Sequence, residues 1–256
     1  MNTQQDHILL HLYKFRFLNR NHIQQLLNHK QFNRIIIWLN ELTESQLIRR
    51  YHNPKTVTVP ALYSLGLKGR KYLKDNPNFK QIKSTTLDRV WREHTLSTQF
   101  REHCLFIADC YLSLSKLVKT TGAKLHFYTK TDLQGLKYLI LPHPDAYFSI
   151  EEPNGNKKSY FLDVFDELPA RMVIRKRIRQ YFQYFENNYW QDHNKNPFPA
   201  IIFVCPDTRS YNYTNLQIQK QLEQSPELSF YLSLRSDIKA KGLLREVLYK
   251  VKVDND

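Results

Sequence analysis

Glycine is scarce in this chain, with 6 in 256 residues. A loop that cradles phosphate needs converging backbone N–H groups where only glycine leaves room. Neither a GxGxxG run nor a Walker-type Gly-Lys-Ser/Thr occurs, which excludes dinucleotide-binding and P-loop hydrolysis sites. Cysteine is scarcer still. Cys104, Cys110 and Cys205 form no CxxC pair and are odd in number, so they read as reduced packing residues of a cytoplasmic protein. His103 stands beside Cys104 on a different helical side, which argues against zinc. No apolar run approaches the roughly 18 to 20 residues that cross a bilayer. The opening MNTQQDH is polar, unlike a secretory leader, and no lipidation motif stands at either end. A membrane partner is therefore not expected.

What the chain does have is aromatic side chains and positive charge. Hydrophobic residues make up 41% and aromatics 13%, ample for a core. The net charge is +14 and the pI about 9.6, which favours a polyanionic partner. The charge is uneven: residues 1–83 hold 14 lysines and arginines against 4 acids, a net of +10, and the remainder carries +4.

The basic first third has the order of a winged helix. An apolar-periodic segment, Asp6 to Tyr13, is followed by a second helix, His22 to Leu27, with Asn21 and Gln24 spaced as a capping box. Asn28 and Gln31 repeat that spacing before a third helix. There Phe32, Ile35, Ile36, Leu39 and Leu42 recur at helical spacing and should face the core. The N-terminal half of the opposite face shows Lys30, Gln31, Asn33 and Arg34, side chains suited to phosphates and base edges in a major groove. Leu47 to Tyr51 and Ala61 to Leu65 read as strands around a polar turn, and Gly66 opens a helix. The Tyr63, Leu65 and Gly69 pattern is similar to the wing exit of many bacterial regulators. Arg49, Arg50 and Lys55 are then wing contacts to phosphate, which strengthen binding without reading sequence.

The polar stretch Asp75 to Thr86 reads as a linker, so the expected division is a winged-helix domain over 1–82 and a second domain over 83–256. The second begins with a helix, in one piece or two, running from Thr86 or Asp88 toward Lys119, with His94 and Glu102 at its margin. A strand over Leu125 to Leu133 follows. Then come two aromatic-rich runs around Asn154-Gly155, a strong hairpin signal. The first run carries Asp145 and the second Asp163. If the strands pair, both carboxylates reach one end of a sheet, the usual way to hold a hard divalent cation; otherwise Asp145 closes a turn and Asp163 ends an edge strand. A helix from Leu168 to Asn188 sets Ile174, Ile178, Tyr181, Phe182 and Phe185 on one face and Arg171, Arg175, Lys176, Arg177 and Arg179 on the other, with Arg175 and Lys176 as candidate DNA contacts. A continuous apolar strand, AIIFVC, a helix over Tyr213 to Glu223 and a strand over Phe230 to Leu234 complete the order. Such an order suits a mixed α+β sheet of the restriction-endonuclease-like type. A nuclease of that type sets a lysine two residues past the second carboxylate to stabilise charge on phosphate. Here Phe165 stands there, and Arg177 or Lys176 is the alternative cation.

Several short motifs resemble the plasmid replication-relaxation family. They are Arg92-Glu93-His94 to Phe100, Pro144-Asp145-Ala146, Tyr160-Phe161-Leu162-Asp163, the Arg177 and Tyr181 pair, and PAIIFVCPDTRS after Phe198, with the winged helix before them. The family includes relaxases of mobilisable plasmids that resemble restriction nucleases. The resemblance implies Asp145 and Asp163 as metal ligands; with Arg177 as the cation they are the candidate catalytic groups, and Mg²⁺ or Mn²⁺ is the cofactor if the chain is catalytic. The chain departs from the family where a Glu-x-Asp pattern usually stands: Asp163 takes the place of the glutamate and Phe165 that of the aspartate, with Asp166 one residue late. The expected function is sequence-specific binding of double-stranded DNA in plasmid or mobile-element replication or mobilisation. A metal-dependent nickase and a transcriptional regulator are the alternatives. Replication or mobilisation proteins and a second copy of the chain are further candidate partners.

Overall fold

The computed structural model of the chain describes residues 2–52, 59–80, 82, 84–243 and 245–252. It divides into two compact units, Met1–Leu112 and Ser113–Asp256.

In the first unit, helix α1 (Thr3–Phe15) starts at Asn2, whose side chain accepts from the Gln5 N–H while Gln5 returns a bond to the Asn2 N–H. Its stripe Ile8, Leu9, Leu12 and Phe15 is buried. A short strand β1 (Leu18–Asn19) leads into α2 (Arg20–Leu26) and α3 (Phe32–Glu44), and then into β2 (Ile48–Tyr51) and β3 (Leu62–Leu65). The strands form an antiparallel sheet in the order β1-β3-β2.

Two expected caps are corrected. Asn19, not Asn21, caps α2, in a reciprocal pair with His22. Gln31 stands at the N-cap of α3 without a side-chain bond, and Asn28 instead takes a left-handed conformation that ends α2. The core positions of α3 are Ile35, Trp38, Leu39 and Leu42; of the expected stripe, Phe32 and Ile36 are only partly buried, and Trp38 joins the core instead.

Helix α4 (Leu67–Asp75) packs backbone to backbone against the turn before β2. A Cβ on Gly66 would lie 2.4 Å from the Gln46 carbonyl oxygen, and one on Gly69 would lie 2.1 Å from that of Leu47, so no side chain fits at either position.

The chain continues through α5 (Ser84–Leu87), a 3₁₀ segment (Asp88–Thr95) and α6 (Thr98–Thr121). The break allowed for in the helix toward Lys119 falls at Leu96, which is extended. The sequence boundary after residue 82 falls inside the first unit, because the following segment folds back onto it. Glu93, almost fully buried, receives Arg16 through two bonds of 3.0 and 3.2 Å, and Asp88 pairs with Arg70. Arg89 lies beside Glu93 at 3.7 Å; burial first, then the charge of Arg16, pull its pKa down to about 10.

The second unit is built on a six-stranded sheet among the described residues, in the order β4-β5-β6-β7-β8-β9. The strands are β4 (Lys124–Thr129), β5 (Ala146–Glu151), β6 (Lys157–Val164), β7 (Ala200–Cys205), β8 (Phe230–Leu234) and β9 (Tyr249–Lys250). The first three form an antiparallel meander, β6-β7-β8 are parallel, and β9 returns antiparallel.

The first strand stops at Thr129 rather than Leu133. There Thr129 caps a helical turn, α7 (Lys130–Leu133), with Asp132. Helices α8 (Arg171–Glu186), α9 (Tyr189–His193), α10 (Thr208–Leu222) and α11 (Arg235–Lys241) intervene between the later strands. The core joins Phe161, Phe203 and Phe230 of the sheet to Ile178, Tyr181 and Phe182 of α8. Strand β7 is buried along its length, as its unbroken apolar sequence requires. This is a mixed α+β arrangement: a helix, an antiparallel meander, and parallel strands joined through helices.

Candidate functional site

The hairpin forms as its sequence dictates. The Gly155 N–H donates to the Glu152 carbonyl, Gly155 takes φ +83°, and the Asn154 side chain accepts from the Asn156 N–H. Ala146 stands opposite Leu162, so the register carried one residue further sets Asp145 opposite Asp163. The two carboxylates therefore reach the same end of neighbouring strands.

Each is taken up by the protein itself. Asp145 Oδ2 accepts the Val164 N–H at 2.9 Å, and Oδ1 lies 3.6 Å from Lys130 Nζ. The Asp145 carbonyl also accepts the Lys130 N–H at 2.9 Å, so the residue fastens the end of β4 to the start of β5 and the end of β6.

Asp163 shares its face of β6 with Phe161 and Phe165, the period-two alternation of a strand turned toward α8. Arg177 Nε donates to Oδ2 at 2.9 Å and Nη2 to Oδ1 at 3.1 Å, a bidentate pair. The Tyr181 hydroxyl donates to Oδ2 at 2.6 Å. Arg177 Nη1 reaches the Pro142 carbonyl at 2.8 Å and Gln180 Oε1 at 3.3 Å, which ties the loop before β5 to the helix. Positions 177 and 181 lie one helical turn apart on α8, so both side chains meet the same carboxylate.

The electrostatics follow from this geometry. Burial opposes the charge on Arg177, but Asp163 and the Tyr181 oxygen outweigh it and raise its pKa. Burial, and then the Asp163 charge, lift the Tyr181 phenol well above its ordinary value, so it stays a neutral donor. His143 is half-buried beside them. Burial lowers its pKa against the Ile140 carbonyl bond, and the charges of Lys130 and Arg177 lower it further.

This arrangement does not fit a resident divalent cation. Both oxygens of Asp163 are occupied by three donors, Asp145 is shared between a backbone N–H and Lys130, and the two negative charges meet two positive ones. Among the described residues, no group of three or more His, Cys, Asp or Glu side chains could hold a metal. Phe165 does not face an open site. It is buried and stacks on Phe203 at 5.1 Å between ring centroids, so the catalytic-lysine position belongs to the core.

The expected DNA-contacting residues lie at the surface. Lys30, Gln31, Asn33 and Arg34 are exposed at the start of α3, with Arg34 5.6 Å over the Trp38 ring. Arg175 and Lys176 are exposed on α8. Arg49 and Arg50 line a cleft of about 430 Å³ with Tyr51, Lys68 and His94, and no described residue lining it is acidic. Lys55 lies outside the described residues. Glu102 is exposed on α6.

The four-residue spacing of Arg177 and Tyr181 is the sequence signal for their shared contact with Asp163. In the Arg92-Glu93-His94 motif it is Glu93 that is buried and paired, while His94 is exposed. Lys130 was hidden inside a strand that ends early.

Comparison with known proteins gives one family: the model described as replication-relaxation matches residues 9–201. No curated protein matches. Among solved structures, the restriction endonuclease FokI aligns over 95% of this chain and 46% of its own length, with 16% identity and a TM-score of 0.29. The chain thus spans less than half of that structure.

Proposed function

The chain belongs to the replication-relaxation family, and from that premise we propose that it is a sequence-specific duplex-DNA-binding protein of plasmid or mobile-element replication or mobilisation. In this reading the first unit is a winged helix with α3 in the major groove. The observation that carries it is the exposed start of α3, where Lys30, Gln31, Asn33 and Arg34 stand together with no acid among them. Amides and a guanidinium at a helix start are the groups that read base edges, and the lysine suits phosphate. The net +10 of residues 1–83 supports the same partner.

A nickase reading draws on Asp145 and Asp163 at the ends of adjacent strands. Their protein partners weigh against it, since metal-assisted hydrolysis needs open carboxylate oxygens. The second unit is better read as a binding platform.

Fluorescence anisotropy on labelled duplexes tests the main reading. Affinity should fall steeply as salt rises, with a log–log slope of several, as counterions are released. Arg34→Glu should lower affinity about tenfold or more, since it removes one contact and places a charge against phosphate. Salt-independent binding, or an Arg34→Glu variant equal to wild type, contradicts it.

A further inference from the structure

The start of α8 presents a feature that the fold itself does not use. Leu168 is 90% exposed, Met172 71% and Val173 55%, three large apolar side chains within six residues of chain. Leu168 also holds φ +52°, a left-handed conformation that an L side chain adopts at a cost and that glycine or asparagine would take freely. Strain of this kind clusters where a ligand is met.

The surroundings say which ligand. Arg171, Arg175, Lys176 and Arg179 are all exposed on the same helix. Met172, Lys176 and Arg179 follow one exposed ridge at i, i+4, i+7, and Arg171 and Arg175 follow the next. Arg171 also lies 5.1 Å over the Tyr213 ring of α10. Leu168 is five residues past Asp163, and Val173 is one turn before Arg177. The exposed Asp166 and Glu167 precede this tip and the cations follow it along α8. An apolar tip with guanidinium and ammonium groups along the helix behind it has the composition of a side-chain wedge that enters a base step while neighbouring cations hold the flanking phosphates.

We propose that Leu168, Met172 and Val173 form a wedge that unstacks a base step of DNA gripped by Arg171, Arg175, Lys176 and Arg179. This rests on the reading of the protein as a DNA binder and deepens it: the second unit deforms the duplex rather than cutting it. Pyrimidine–purine steps are the expected targets, since they unstack most easily.

The test uses the full chain with duplexes of about 30 base pairs carrying 2-aminopurine beside TA and CA steps, with binding followed in parallel by anisotropy. Wild type should bind and raise 2-aminopurine emission about twofold or more. The double variant Leu168→Asn, Met172→Ser should bind within about threefold of wild type and leave emission at the free-duplex level. Its thermal transition should not fall, because asparagine accepts the left-handed conformation and both side chains are exposed. Arg175→Glu with Lys176→Glu should instead lower affinity about tenfold or more at low salt. Wild-type binding without brightening at any labelled step overturns the wedge and leaves the DNA reading standing. Absence of binding to any duplex overturns both. A double variant that unstacks DNA as wild type does, or that shifts free protein from dimer to monomer in sedimentation, also overturns it, the latter in favour of contact between copies.

Discussion

Asp163 has three donors for its two oxygens, and their removal has unequal consequences. Asp163→Asn leaves Arg177 buried beside a neutral amide, and breaking a buried pair from one side costs about 3 to 5 kcal/mol. Denaturant unfolding should show that loss, while Asp163→Leu with Arg177→Met should recover most of it. A cation ligand would behave otherwise, because neutralising it relieves repulsion in the metal-free protein. Equal or greater stability of Asp163→Asn would therefore count against the pairing described. His11 gives a pH signature. Burial, then the charges of His7 and Lys14, push its pKa down from 6.5 to about 4. The folded state keeps it neutral while the unfolded chain protonates it, so its contribution is full above pH 6.5 and is lost as pH falls toward 4. The difference is of order 3 kcal/mol. Unfolding midpoints between pH 7 and 4 should fall less in His11→Gln than in wild type.

At the scale of elements, the first unit depends on the approach of α4 to the turn before β2. Gly69→Ala would drive a methyl into the Leu47 carbonyl, a backbone atom that cannot rotate away. The expected loss is about 2 kcal/mol or more, read as a lower thermal midpoint, against a change near zero for Lys71→Ala on the exposed side of the same helix. Most elements were legible in the sequence because their patterns are local. The Asn154-Gly155 hairpin, the buried AIIFVC strand and the apolar stripe of α3 each follow from residues within a few positions. What was not legible depends on distant partners. The position of residues 84–112 within the first unit goes with Glu93 meeting Arg16, 77 positions away, and a polar, Pro-containing stretch looks like a linker whether or not the next segment folds back. Strand β4 ends early because Thr129 and Asp132 form a cap, which strand propensity outranked in the sequence.

For the whole molecule, charge is the property that sequence and structure express alike. The chain sets 38 lysines and arginines against 24 acids, and the two acids of the candidate site are paired with Arg177 and Lys130 of the same chain. The two carboxylates were found from sequence because hairpin register is periodic. Their neutralisation is legible only in part: Arg177 is in helical register with Ile174, Ile178 and Tyr181 and is buried with them, not exposed with Arg175 and Lys176, but which strand residue it meets there is set by the fold. That outcome moves the account from a cutting site toward a platform that binds and bends DNA. The most direct measurement is selection of bound sites from a pool of random duplexes, with wild type and Arg34→Glu side by side. The account predicts that wild type enriches a defined sequence and that Arg34→Glu loses preference at the base its guanidinium reads while keeping weak, salt-sensitive binding. Recovery of the same sequence by both proteins, or of none by wild type, would contradict it.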